Sequence, residues 1–195
     1  MKQPVNFICT PECNINVVDQ GLDVNLSSDG ARQALAIGER LLSYGGEISL
    51  FSSSEAGALV GSRVIAEVAK IGVHNISSDL SKKSLTSDFE VDGEVEAIGL
   101  DEVGLTSYTA LDMKRMKRFY EMVYADPFNI PTFAITDKGS IMALLGALDI
   151  NSPGYDIQPG SLTSIIDISE VSTVAATRLL NTLDNEQDLP DTLAA

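Results

Sequence analysis

Histidine, tryptophan and cysteine are scarce in this chain, and each shortage narrows what the protein can be. Of its 195 residues, none is Trp, 6% are aromatic, two are Cys and one is His. A core therefore has to be packed mainly from Leu, Ile, Val and Ala. Cys9, Cys13 and the remote His74 are too few convergent ligands for a metal site, so we expect free thiols, no metal and no cofactor. A disulfide within residues 9–13 would need a turn that brings the two Cβ atoms within about 4.5 Å.

Basic residues are also few compared with acidic ones. The 13 Lys and Arg against 28 Asp and Glu give a formal net charge of −15. Such an acidic surface repels nucleic acid, anionic membranes and, unless a local basic pocket overrides it, phosphate esters. The basic residues are expected on helix surfaces, with one cluster at residues 114–118. We therefore expect no nucleic-acid or membrane partner, and we interpret the charge as a source of solubility or of attraction to a basic partner protein.

No long hydrophobic run is present, which argues against a membrane span or a secretory leader. The first apolar run covers only residues 5–9, and we expect a soluble, cytoplasmic protein. With 44% hydrophobic residues the chain can bury a real core. We expect a single domain over residues 1–184, with a polar, acidic cap or excursion at 75–112 and a flexible tail at 185–195.

Apolar patterning alternates between strands and helices. Strands are predicted at residues 5–9, 47–51, 132–136, 161–168 and 172–180, and helices at 28–44, 55–72, 113–124 and 138–148. After the first strand the chain is expected to enter a loop at Pro11. The alternation predicts an α/β fold with three layers, α/β/α, and a mainly parallel central sheet with an antiparallel edge strand. Sites in such sheets form at the carboxyl ends of the strands, here residues 9–11, 52–54 and 136–138.

Those strand ends carry a family resemblance. Residues 9–16, CTPECNIN, resemble the Arg-His-Gly-Glu-Thr-x-x-Asn motif that opens histidine phosphatases of the phosphoglycerate mutase type. Glu12 and Asn16 fit the motif. Cys9 stands in the place of its Arg, and Thr10 stands in the place of its nucleophilic His.

The resemblance continues along the chain. Residues 20–34, with QG, D, LS and GARQA in order, match Gln-Gly, Asp, Leu-Thr and Gly-x-x-Gln-Ala of the family. Ser53 and Ser54 match its Ser-Ser pair, Ala58 takes the place of a second Arg, and Ser62 stands for a Thr.

The second half follows the same order. Residues 135–141, ITDKGSI, resemble Val-Ser-His-Gly-Gly-x-Ile, with Asp137 in the place of the second catalytic His. Gly160, Ser161 and Thr163 match a Gly-Ser-x-Thr strand, and residues 180–182 resemble the closing Leu-Asn-Asp-Thr. The family's acidic residue aligns with Leu105. The resemblance spans nearly the whole chain, apart from the excursion and the tail.

What the resemblance implies is a phosphoglycerate mutase-like fold without the parent chemistry. The family attacks phosphorus with a His nitrogen, while Arg side chains and a second His neutralise the phosphoryl oxygens. Here the catalytic positions hold Cys9, Thr10, Ala58, Leu105 and Asp137. We therefore predict no catalytic residues and a remnant pocket formed by Thr10, Glu12, Asn16, Ser53, Ser54 and Asp137.

Other uses of these residues remain open. Cys9 could be a nucleophile if its thiolate were stabilised, but Glu12 and Asp137 would raise its pKa. Those two carboxylates could carry out acid–base chemistry or, with Asp23, hold a cation. The structural interpretation is that Glu12 caps a turn, Asp137 caps a helix and residues 52–54 cap another.

Three functions follow from these alternatives. The leading one is a catalytically inactive histidine phosphatase-like protein with a binding, regulatory or structural role, acting through an unknown protein partner or as a homodimer. The second is a phosphoric monoester hydrolase with a rewired active site. The third is a small-molecule or cation binder that uses the acidic pocket. His74 lies outside both catalytic positions and is expected to be structural or on the surface.

Overall fold

The computed structural model describes residues 3–18, 21–81, 97–100, 107–150, 157–166 and 176–180. In chain order, the strands are β1 (Val5–Cys9), β2 (Cys13–Val18), β3 (Gly21–Leu26), β4 (Ser49–Ser52), β5 (His74–Ile76), β6 (Ala97–Leu100), β7 (Ser107–Thr109), β8 (Thr132–Thr136), β9 (Leu162–Ile166) and β10 (Ala176–Leu180). The helices are α1 (Ser28–Ser43), α2 (Ala56–Ala69), α3 (Ala110–Tyr124) and α4 (Lys138–Ala147), with a short 3₁₀ turn at Ser78–Leu80.

Six strands form the central sheet in the order β10-β9-β1-β8-β4-β5. β1, β8, β4 and β5 are parallel, whereas β9 is antiparallel to both β1 and β10. The mainly parallel sheet is confirmed, with one difference. The antiparallel strand lies beside the edge strand and not at the edge itself, because β10 returns alongside β9 and covers its outer side.

The central strand β1 is buried along its whole length because helices cover both faces of the sheet. Its alternating side chains supply two separate cores. Phe7 faces a cluster with Met116 and Phe119 of α3 and Leu144 of α4. Ile8 faces the opposite cluster, which is built largely from α1 and α2. This gives the predicted three layers, α/β/α.

Two hairpins lie outside the central sheet. β1 ends at Cys9 and residues 10–12 have no regular structure, so the loop expected at Pro11 is confirmed. The loop is short, and β2 and β3 then form the first hairpin, which was not predicted. The alternation of Ile15 and Val17 with Asn14 and Asn16 is a period-2 signal that would have revealed it. β6 and β7 form the second hairpin, within the excursion. Of the excursion, residues 82–96 and 101–106 lie outside the described residues, as does the tail.

Most helix ends follow from local sequence. The side chain of Ser27 accepts a hydrogen bond from the Gly30 N–H and starts α1, and Gly45 adopts a positive φ of 68° just after its end. α3 begins with a capping box between Thr109 and Asp112. α2 ends at Ala69 and not at Gly72, because Lys70 adopts the left-handed conformation.

Candidate functional site

The three predicted strand ends lie side by side at the carboxyl edge of the sheet. Cys9 pairs with Thr136 in register, and Ser52 pairs with Ile135. Backbone hydrogen bonds extend this edge beyond the strands, from Thr10 N–H to the Thr136 carbonyl at 2.8 Å and from Ser53 N–H to the Ile135 carbonyl at 2.9 Å. Residues 9–11, 52–54 and 136–138 are therefore neighbours, as the strand pattern predicted.

Cys9 is buried at the end of β1, and both its backbone N–H and its carbonyl are hydrogen-bonded. Its N–H donates to the Ser161 carbonyl, and its carbonyl accepts from the Gly160 N–H. Burial raises the pKa of the thiol to about 12, and the negative charge of Asp137 adds to the increase, while Lys138 opposes it. The group is a neutral thiol at physiological pH and is not a nucleophile there.

Thr10 is the residue that the sequence resemblance aligns with the nucleophilic His of histidine phosphatases. Its Oγ1 is buried and has no hydrogen-bond partner within the described residues. The segment around it packs closely on α2: a Cβ added to Gly61 would lie 2.9 Å from Pro11 Cδ, and one added to Gly57 would lie 3.3 Å from Thr10 Cγ2. The two helix glycines thus let α2 approach this strand end.

Glu12 is anchored through its backbone, while the residue itself is exposed. Its N–H donates to Oε1 of the buried Gln33 at 3.0 Å, and its carbonyl accepts from the Ser27 N–H. Gly160, with φ of 74°, packs against the Gln33 side chain, and a Cβ added to it would lie 2.9 Å from Gln33 Cβ. Gln33 of the GARQA motif therefore joins α1, the Glu12 segment and the turn before β9.

Asp137 caps α4, as predicted. Its Oδ1 accepts from the Ser140 N–H at 3.1 Å and its Oδ2 accepts from the Ser140 hydroxyl at 2.6 Å. Both carboxylate oxygens are thus engaged at the helix N-terminus, where a negative charge is favourable.

The serines at 52–54 do not cap α2, so that prediction was wrong. The N-cap is Glu55, whose side chain makes no capping hydrogen bond. The hydroxyl of the buried Ser52 pairs with Nε2 of His74 at 2.7 Å, and Ser54 pairs with the Ser81 hydroxyl at 2.6 Å. Only Ser53 reaches the helix start, where its Oγ accepts from the Glu55 N–H at 3.4 Å. The Ser52 hydroxyl thus links β4 to β5, and the Ser54 hydroxyl links the end of β4 to the segment that follows β5.

Residues 77–81 are hydrogen-bonded to the ends of both β4 and β8. The Thr136 hydroxyl donates to the Leu80 carbonyl at 2.5 Å, and the Ser77 N–H donates to the Ser52 carbonyl. Leu80 itself is fully buried. The carboxyl edge is thus partly covered by the chain's own backbone.

The buried Arg115 is the residue that sequence reasoning missed. It was assigned to a helix surface, yet it is only 5% exposed and pairs with the equally buried Asp112 at 2.9 Å. Its Nη1 donates to the Ser78 carbonyl at 3.3 Å, which ties α3 to the 77–81 segment. The spacing of Asp112 and Arg115, three positions apart, predicts an ion pair on one face of the helix but does not reveal that the pair is buried.

The remaining predicted residues are dispersed. Ala58, which the resemblance aligns with the family's second Arg, is 1% exposed and packs in the core between α2 and the sheet. Asn16 lies exposed in β2 opposite Asp23 of β3. Leu105 lies outside the described residues. The grouping of Thr10, Glu12, Asn16, Ser53, Ser54 and Asp137 into one pocket stays a prediction.

Neither a metal cluster nor a membrane helix occurs in the part of the chain that the structure describes. No group of three or more His, Cys, Asp or Glu side chains there could hold a metal ion. None of the helices in the same ranges is long and apolar enough to cross a membrane. Cys9 and Cys13 are both free thiols, as expected, and the Cys13 Sγ donates to the Pro11 carbonyl.

Comparison with known proteins places the fold among phosphatases. A mycobacterial glucosyl-3-phosphoglycerate phosphatase, solved with VO₃, superposes with a TM-score of 0.61 at 18% identity over 91% of this chain and 97% of that one. Bacillus stearothermophilus YhfR gives 0.59 at 15% identity over 84% and 91%. An Entamoeba histolytica phosphoserine phosphatase variant, solved with phosphoserine, gives 0.57 at 13% identity over 84% and 90%. No protein-family model and no curated protein matches the sequence.

Identities this low establish a shared architecture and leave the chemistry open. The superpositions cover most of both chains, so the likeness extends across the sheet and its helices and is not limited to one motif. The fold expected from the resemblance is confirmed: the chain has the phosphoglycerate mutase-like α/β fold that these phosphatases share.

Proposed function

We propose that this chain is a histidine phosphatase-like domain without phosphoryl-transfer activity and that it acts by binding. The observation that carries the proposal is the state of the carboxyl edge of the sheet. The described residues that the resemblance places in the family's catalytic positions hold the fold together through side chain or backbone, and none of them is an imidazole; they are Cys9, Thr10, Ala58 and Asp137.

The individual positions support this view. Cys9 is a buried neutral thiol, and Ala58 is part of the apolar core. Asp137 uses both carboxylate oxygens to start α4. A phosphate placed about 4 Å from that carboxylate would meet a repulsion of about 4 kcal/mol per unit charge pair at an effective dielectric near 20. Electrostatic stabilisation of the transition state is usually the largest contribution to the rate of such reactions. The Asp137 carboxylate would destabilise a phosphoryl group at this edge instead of stabilising it.

A phosphatase with a rewired site is the second candidate, and one observation favours it. The Thr10 hydroxyl, which the resemblance aligns with the nucleophile, has no hydrogen-bond partner in the described residues, as expected of a group reserved for a substrate. The neighbouring structures are named as phosphatases acting on phosphate esters, so phosphomonoesters are the substrate class to test.

Hydrolysis of an aryl phosphate by the whole chain separates the two candidates. We expect no turnover above a buffer blank, with the same result for Thr10→Ala, Cys9→Ala and Asp137→Ser, of which the last keeps an N-cap side chain on α4. Calorimetric titration with inorganic phosphate is expected to give no binding heat. Turnover by the wild type that Thr10→Ala abolishes while Asp137→Ser retains it would overturn the proposal in favour of the rewired phosphatase.

A further inference from the structure

The helix α3 carries a large share of the chain's positive charge. Of the 13 Lys and Arg residues, four lie within residues 114–118 of this helix. The helix has two acidic residues, Asp112 and Glu121, and Asp112 is buried and paired with Arg115. Because the whole chain has a net charge of −15, the sign of the charge is reversed locally at this helix. No step of the function proposed above uses these cations.

The exposed side chains of α3 form one continuous face. They recur three or four positions apart, which is the spacing of one side of a helix. They are Leu111, Lys114, Lys117, Arg118, Glu121 and Met122. Leu111 is 51% exposed and Met122 is 53% exposed, although both are large hydrophobic residues. They lie three helical turns apart, at a separation of about 16 Å along the axis. The face therefore has an apolar side chain near each end and basic side chains between them.

The basic side chains of this face are accessible to a partner. Within the described residues, Lys114 and Lys117 form no ion pair. Arg118 donates from Nε and Nη2 to the carboxylate of Asp79, and its side chain is still 72% exposed. A guanidinium that is already held in place loses little conformational freedom when it contacts a second carboxylate. The face thus offers two unpaired lysines and one arginine in a fixed position.

Charge and length select the kind of partner that fits this face. A nucleic acid or an anionic membrane is negatively charged, but either would extend beyond α3 and be repelled by the acidic remainder of the chain. That repulsion is screened over about 8–10 Å at physiological ionic strength, so an acidic segment no longer than the face avoids most of it. A helix packed along α3, with carboxylates between two apolar side chains three turns apart, matches the face in both charge and spacing.

We propose that the exposed face of α3 binds an acidic amphipathic helix of a partner protein. In this contact, carboxylates of the partner pair with Lys114, Lys117 and Arg118, and its apolar side chains pack on Leu111 and Met122. The inference rests on the function proposed above, because it names the chemistry of the partner that a binding role requires.

Fluorescence anisotropy of a labelled peptide mixed with the whole chain tests this face. The probe is a helical peptide of about 18 residues, with two Leu three turns apart and Glu between them. One comparison peptide has Lys in place of every Glu, and another has Ser in place of both Leu.

The variants change exposed side chains that lie outside the core. Lys114→Glu reverses one charge of the face, and Leu111→Ser combined with Met122→Ser removes its two apolar ends. Lys70→Glu is the matched control for Lys114→Glu, because it changes the net charge by the same amount at an exposed position that follows α2.

We expect the wild type and Lys70→Glu to bind the acidic peptide alike. Lys114→Glu and the double Ser variant are expected to raise the dissociation constant at least about tenfold with unchanged circular dichroism. Binding is expected to weaken as NaCl rises from about 0.05 to 0.5 M, because salt screens the attraction between the peptide and the basic face.

Three results would overturn the proposal. They are the absence of peptide binding, equal binding of the Lys-containing peptide, and equal weakening by Lys70→Glu and Lys114→Glu. Binding of phosphatidylserine vesicles or of single-stranded DNA in preference to the peptide, abolished by Lys114→Glu, would assign the face to a different anionic partner and would also overturn it.

Hydrolysis of an aryl phosphate, measured on the same preparations, distinguishes this failure from failure of the proposed function. Absence of both peptide binding and turnover overturns the assignment of the partner alone. Turnover that Thr10→Ala abolishes overturns the proposed function, whatever the peptide does.

Discussion

His74 has the clearest pH-dependent consequence among single residues, because it is the one imidazole of the chain. Burial lowers its pKa, and the positive charge of Arg63 lowers it further. The folded state therefore binds a proton less readily than the unfolded chain, whose His titrates near the usual value of about 6.5. The stability associated with neutral His74 is present above that pH and is lost as the pH falls below it.

We accordingly expect the melting temperature to fall between pH 7.5 and 5.5, a range in which few other side chains titrate. The variant His74→Gln keeps a polar group near the Ser52 hydroxyl but cannot be protonated, so its melting temperature is expected to change much less over the same range. Thermal unfolding followed by circular dichroism measures both. Equal pH dependence in the two proteins would contradict the assignment to His74.

Residue-scale expectations from sequence succeeded where the role is local. Asp137 was expected to cap a helix because Asp precedes an apolar helical pattern, and it does. Ser52 was expected to cap a helix for the same kind of reason, and the expectation failed because β4 extends through it and buries it against His74. The buried pair of Asp112 and Arg115 was missed, since its burial depends on the remote 77–81 segment.

At the scale of elements, the start of α4 depends on Asp137. Asp137→Ala removes the acceptor for the Ser140 N–H and is expected to lower the free energy of unfolding by about 1 kcal/mol, within a usual range of about 0.5–2. Asp137→Ser keeps an N-cap acceptor and is expected to be close to wild type. Urea unfolding measures both. If Ser is as destabilising as Ala, the carboxylate has a role other than capping.

The start of α1 packs closely against the backbone of the Glu12 segment, and a single substitution at Gly30 tests this packing. A Cβ added to Gly30 would lie 1.9 Å from the Glu12 carbonyl oxygen, which cannot move without breaking its bond from the Ser27 N–H. Gly30→Ala is therefore expected to cost about 1–3 kcal/mol or more of unfolding free energy.

Gly46→Ala is the matched control for that change. A Cβ at Gly46 meets nothing within 4 Å, so the substitution is expected to stay within about 0.5 kcal/mol of wild type. Both are measured as urea midpoints at constant m-value. A tolerated Gly30→Ala would show that α1 and the Glu12 segment are less closely packed than the structure has them.

Elements themselves were predictable where periodicity was strong. Residues 132–136 and 138–148 were expected as strand and helix, and β8 and α4 agree with those bounds to within one residue. The β2–β3 hairpin was not predicted, although Ile15 and Val17 alternate with Asn14 and Asn16 just after the loop at Pro11. Short strands such as β5 carry too few residues for a period to show.

For the whole molecule, the excess of negative charge is the main long-range electrostatic contribution to the free energy of folding. A net charge of −15 on one compact chain repels itself, and unfolding relieves the repulsion by moving the charges apart. We expect the melting temperature at pH 7.5 to rise as NaCl increases from about 0.05 to 0.5 M. A constant or falling melting temperature would show that favourable ion pairs outweigh the self-repulsion.

The sequence by itself determined the layer architecture, most helix starts and the identity of the strand ends at the carboxyl edge. These follow from local periodicity, caps and the order of alternating elements, which the chain encodes within short windows. Only the tertiary structure decided which polar groups at that edge are buried or hydrogen-bonded to other parts of the protein. The burial of Cys9, the covering of the edge by residues 77–81 and the pairing of Arg115 each join segments far apart in sequence. Desolvation depends on what packs against a group from elsewhere in the chain, so no local pattern could have specified it.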